Sequence, residues 1–148
     1  MPTTHPWILL TYKIPRNPTN ARVFVWRALK QLGAVFLHDA IWVLPGTPLT
    51  RSRFEWLAAE IAAFGGEATV WEARIVDGER RELIQQFLDQ VDARYRELMA
   101  ELERPDADLD QLSDRHRQID EHDYFRSELG ERVRLAIEAR RAKVAASS

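Results

Sequence analysis

The apolar positions of this chain change their period several times, and each change marks an element. Trp7-Ile8-Leu9-Leu10-Thr11-Tyr12-Lys13-Ile14 is almost continuous in apolar and β-favouring residues, the pattern of a strand covered or paired on both sides. Pro15-Arg16-Asn17-Pro18 breaks it, and Thr19 or Asn20 can cap a helix that starts at Ala21. Within that helix Ala21, Val25, Ala28, Leu29 and Leu32 recur at spacings of three and four, and Gly33 suits the position just past its end. Val35 to Leu37 and Ile41 to Leu44 read as two short strands joined at His38-Asp39-Ala40, and Pro45-Gly46 ends the second. A second helix is predicted to begin at Thr50 or Ser52. Its stripe is Phe54, Leu57, Ala58, Ile61, Ala62 and Phe64, and Gly65-Gly66 stops it. Ala68 to Val76 then alternates as an edge strand with one poorer face would.

The order strand, helix, strand, strand, helix, strand is the split βαβ arrangement of a ferredoxin-like α+β domain. It predicts an antiparallel sheet with the first and third strands in the middle, occupying residues 1–76. Beyond Asp77-Gly78 the period changes to a heptad-like seam of Ile84, Leu88, Val91, Tyr95, Leu98 and Leu102, which requires a partner helix. Arg104-Pro105-Asp106 ends that helix, Leu109 to His122 restarts one, and a bend at Asp123-Tyr124-Phe125 precedes a last helix through Leu129, Val133, Ala136, Ile137 and Val144. Residues 77–148 are therefore expected to form a helical extension that packs on the core or on a second protomer, which makes a homodimer the expected assembly.

Composition narrows the function classes. With 45% apolar and 30% charged residues over 148 positions the chain should fold as one domain with an appendage. The absence of cysteine excludes disulfides, thiolate metal sites and a cysteine nucleophile, and fits a reducing compartment. No signal-like leader and no apolar run of membrane-spanning length is visible, so a cytoplasmic location without a membrane partner is expected. The net charge of −2 hides an asymmetry. Up to His38 there are five basic residues (Lys13, Arg16, Arg22, Arg27, Lys30) and no acidic one, whereas the remainder holds the other 16 of 21 basic residues against all 23 acidic ones. A basic end beside an acidic body suggests a molecule that presents one face to an anion.

Several of these segments carry a family resemblance. Trp7-Ile8-Leu9-Leu10, Pro15, Pro18, the run Arg22-Val23-Phe24-Val25-Trp26-Arg27-Ala28-Leu29-Lys30-Gln31-Leu32-Gly33-Ala34, and Ile41-Trp42-Val43-Leu44-Pro45 resemble the N-terminal domain of ChrB chromate-resistance regulators. Gly65-Gly66-Glu67-Ala68 and Asp123-Tyr124-Phe125 extend the likeness over nearly the whole chain. The resemblance implies a regulatory or accessory role in chromate resistance, with promoter DNA and chromate or another oxyanion as expected partners. Full-length regulators carry a further C-terminal domain associated with chromate responsiveness, which the residues up to Ser148 are not expected to supply. The family is similar in fold to the small CRISPR adaptation endonuclease, which implies a metal-holding acidic residue near the end of the first strand. Lys13, Ile14 and Pro15 stand there instead, and this argues against nuclease chemistry.

The candidate site follows from the first helix. Arg22, Trp26 and Lys30 are spaced i, i+4, i+8, with Arg27 towards an adjacent face, so that Arg16, Arg22, Arg27 and Lys30 form the expected DNA- or anion-binding set. Against this stands the reading of solvated charges opposite a core stripe. Arg16, Asn17 and Arg22 also flank a helix start where an oxyanion could bind. His38-Asp39 invites an acid–base reading but reads better as a turn. His116 and Asp120, at i, i+4, could hold a metal but read better as a solvated face. The five tryptophans are expected in the core rather than as stacking surfaces. No Gly-rich nucleotide loop is present, so no cofactor and no enzymatic activity are expected. The competing functions are a homo-oligomeric interaction protein without a nucleic-acid partner and, more distantly, an oxyanion-handling enzyme.

Overall fold

The computed structural model describes residues 7–16, 19–38, 41–78 and 80–147, with Thr19 described by its backbone. The elements run β1 (Trp7–Lys13), α1 (Thr19–Leu32), β2 (Val35–His38), β3 (Ile41–Pro45), α2 (Pro48–Ala63), β4 (Glu67–Ala73), α3 (Arg80–Leu102), α4 (Leu109–Asp120) and α5 (Glu128–Ala146). The chain divides into two compact units, Met1–Arg80 and Arg81–Ser148. No helix among the described residues is long and apolar enough to cross a membrane.

In the first unit the four strands lie in the order β2-β3-β1-β4, all neighbours antiparallel, so β1 and β3 are central as the apolar runs predict. Opposite residues of an antiparallel pair share a face. Leu10 therefore stands beside Trp42 and Val70, and Leu9 beside Val43 and Trp71. Buried side chains occur on both faces: Ile8, Leu10, Trp42 and Leu44 on one, Val35 and Val43 on the other. The predicted stripe of α1 is buried in full, through Ala21, Val25, Ala28, Leu29 and Leu32. Gly33, at φ 76°, ends the helix with its N–H donated to the Lys30 carbonyl, and the Ala34 N–H reaches the Leu29 carbonyl.

Several boundaries differ from the sequence expectation. Helix α2 starts earlier, at Pro48, because Thr47 is its cap: the Thr47 hydroxyl accepts from the Thr50 N–H at 3.1 Å and the Thr50 hydroxyl accepts from the Thr47 N–H at 2.9 Å. Thr50 thus closes a capping box from the third helical position, where it is buried and also donates to the Pro45 carbonyl. Of the predicted α2 stripe Phe54, Leu57 and Ile61 are buried and Ala58 is half-buried, while Ala62 and Phe64 face outward. Strand β4 stops at Ala73 rather than Val76, since its ladder with β1 ends at the Trp7–Ala73 pair. Between β2 and β3 the register shifts between Phe36 and His38, and Asp39 and Ala40 of the predicted joint lie outside the described residues.

The second unit packs α3, α4 and α5 around Val91, Tyr95, Leu98, Leu102, Leu112, Ile119, Val133 and Ile137. Val91, Tyr95 and Leu98 are buried as predicted. Farther upstream, however, the buried residues are Leu83 and Phe87, with Ile84 and Leu88 half-buried. Steps of four from Leu83 through Phe87 and Val91 to Tyr95 replace the heptad alternation there. Phe87 meets the rings of Tyr124 and Phe125 at 6.1 and 5.5 Å between centroids.

The bend before α5 is held by a buried polar network. The Tyr95 hydroxyl donates to Asp123 at 3.0 Å, and both oxygens of that carboxylate accept from the Ser127 N–H. The Ser127 hydroxyl donates to Asp92 and accepts from the Gly130 N–H at 3.1 Å, capping α5. Gly130 lies so close to Tyr95 that a Cβ on it would come within 2.6 Å of the ring.

Two outcomes follow. Thr50→Val keeps the shape but removes the reciprocal cap, and should lower the unfolding free energy by about 1–2 kcal/mol in urea titrations. Burial, and next the Asp123 charge, push the Tyr95 phenol well above its ordinary 10.0. The unfolded chain then releases this proton first, so stability is full below about pH 10 and falls as pH rises above it. Tyr95→Phe should flatten that alkaline decline in Tm measured against pH, at the cost of lower stability at neutral pH.

Candidate nucleic-acid interface

Helix α1 has one buried side and one open side because its apolar residues fall at positions 21, 25, 28, 29 and 32 and leave the opposite arc to polar ones. Arg22, Val23, Trp26, Arg27 and Lys30 occupy that arc and are exposed. Arg16, before the helix, is exposed as well. Arg22, Trp26 and Lys30 form one stripe, and the Lys30 ammonium lies 5.7 Å from the centroid of the Trp26 ring. The first turn of α1 has no acidic residue, so the positive end of its dipole is not offset by a side chain.

A structural role for Arg27 would need a carboxylate partner such as Asp39 or Glu72. Asp39 lies outside the described residues, and Glu72 is engaged by Arg51. Among the described residues, Arg16, Arg22, Arg27 and Lys30 form no ion pair with a carboxylate. The charge of Arg22 acts on the half-buried Tyr12. Burial raises the Tyr12 pKa, opposed by its hydrogen bond with Trp42 and by the charge of Arg22. Of the oxyanion trio at the helix start, Asn17 lies outside the described residues.

The remaining candidates are placed elsewhere. His38 is exposed at the end of β2. His116 Nε2 lies 2.8 Å from the Gly130 carbonyl, which can only accept, so this nitrogen carries the proton; the ring sits 5.3 Å from that of Tyr95. That contact orients His116 within the helical unit, and Asp120 is exposed. No group of three metal-ligating side chains occurs among the described residues.

The tryptophans correct the expectation of core packing. Trp7 and Trp42 are buried, but Trp26 is 54% exposed and Trp56 and Trp71 are 50% exposed each. The signal was present in the spacing, which sets Trp26 on the basic stripe rather than the apolar one. The Tyr95–Asp123–Ser127 network was not readable, because it joins positions 28 and 4 residues apart across a bend.

The sequence model of the family described as "Protein ChrB, N-terminal" matches residues 22–100, more than half of the chain and including all of α1 beyond its first turn. A curated relative, Protein ChrB of Cupriavidus metallidurans, is 29% identical over 141 residues, covering 87% of this chain and 43% of that protein. The chain thus spans less than half the length of this relative. No solved structure matches.

An exposed arginine without a carboxylate partner among the described residues contributes little to folding. Arg27→Ala should therefore shift the unfolding free energy by no more than about 0.5 kcal/mol in thermal or urea unfolding.

Proposed function

The chain belongs to the ChrB N-terminal family, and from that premise we propose that it is a chromate-resistance-associated regulatory or accessory protein that contacts promoter DNA through the open face of α1. The observation that carries this reading is the set Arg16, Arg22, Arg27 and Lys30, exposed and without a carboxylate partner among the described residues, in a stretch that holds no acidic residue up to His38. Guanidinium groups offer planar forks to phosphate oxygens and Lys30 a point charge. Cations already paired within the protein would have to give up a partner to bind phosphate, and among the described residues these four have none to give up. The reading makes the chain a binding protein rather than an enzyme.

The test is fluorescence anisotropy on duplex DNA from its own promoter, over a salt series, with and without chromate. Each phosphate contact should add about 0.9 to the logarithmic salt slope. Arg27→Ala should reduce that slope by about one contact and weaken binding by about 1.5–3 kcal/mol. Absence of binding at low salt, or an Arg27→Ala protein with unchanged affinity, would remove this face from the function.

A further inference from the structure

The three half-exposed tryptophans are not equivalent. Trp56 leans on Phe24, with 6.2 Å between ring centroids, and Phe24 in turn touches Phe64 at 5.4 Å. Trp71 donates its indole N–H to the Thr11 hydroxyl at 2.9 Å. Trp26 has neither a ring partner nor a hydrogen bond among the described residues, and the Lys30 ammonium lies 5.7 Å from the centre of its ring. About half of the indole is open to solvent, where alanine or lysine would serve the helix as well or better. An open ring set among cations is what a stacking ligand with phosphates would use.

Trp26 stands on the outward arc between Arg22 and Lys30, each one turn away, with Arg27 beside it. Four residues of helix rise about 6 Å, so the two flanking cations are anchored about 12 Å apart along the axis with the ring between them. The helix is cationic on this face, carries an exposed planar ring and has no acidic residue of its own, a combination that matches a chain of phosphates carrying flat bases. Closed duplex offers phosphates and base edges but keeps its base faces inside the stack. Only an unpaired base can present a face to the indole.

We propose that Trp26 is a stacking platform for an unpaired nucleobase, flanked by Arg22, Arg27 and Lys30 as phosphate contacts, so that the α1 face takes single-stranded DNA in preference to closed duplex. This rests on the reading above that α1 faces DNA. Lys30, on its flexible stem, exchanges the ring for a phosphate when the base arrives.

The experiment compares the full chain with its Trp26→Leu and Trp26→Phe variants by anisotropy. The probes are a labelled single strand of about 16 nucleotides and the duplex of the same sequence, with thermal unfolding as the control for folding. The unaltered protein should bind the single strand at least about tenfold more tightly than the duplex. Trp26→Leu, which keeps apolar bulk without a π-face, should lose roughly 5- to 100-fold on the single strand and little on the duplex, and Trp26→Phe should retain most of the affinity. Equal affinity for duplex and single strand, or leucine and phenylalanine variants that behave alike, would overturn the platform while leaving DNA contact through the arginines intact. Binding of neither DNA at low salt, or capture by anionic lipid vesicles alone, would overturn the platform together with the reading beneath it.

Discussion

Strand β1 is hydrogen-bonded on both edges, and the rest of the first unit takes its register from that strand. Leu9, Leu10 and Thr11 each have a partner on β3 and another on β4. A slip of one residue on either side would exchange the two faces of the neighbouring strand. In β4 half-buried Ala68 and Val70 alternate with exposed Thr69 and Trp71, so such a slip would exchange the covered set for the open one. Since β1 fixes β4 as well as β3, it also sets where Glu72 stands, and so which cation Glu72 meets.

That placement affects the chemistry of α1. Glu72 is held by Arg51 from α2. Both groups are about half exposed, so the pair contributes little to stability. Its effect is on partner choice. An acidic residue of the first unit is neutralised by a helix other than α1, and so it is not available to the cations of α1.

The architecture of the first unit was legible because its signals are local and repeated. Alternation, the three-and-four spacing of α1 and the glycine at position 33 each predict one outcome, and they agree. The helix α2 boundary was not, because Thr47 and Thr50 both fit a cap and only the reciprocal bonds decide between them. In α3 a choice between Ile84 and Leu83, or Leu88 and Phe87, turns on one residue of helical phase, which an apolar-rich segment does not resolve by pattern alone. For the candidate site the residue types and their common stripe were readable. Which cations are paired was not, since partners come from remote strands and helices, as Arg51 and Glu72 illustrate.

The contact of Gly130 with Tyr95 has a consequence for how this sequence can vary. The ring occupies the space that any side chain at position 130 would need, and it is pinned there by its bond to Asp123. A larger residue at 130 becomes acceptable only after 95 has given up its ring, and once it has, Asp123 loses the phenol and keeps the Ser127 N–H as its donor. Change at this corner of the helical unit is therefore ordered: position 95 has to give way before position 130 can grow, and the reverse order meets the ring.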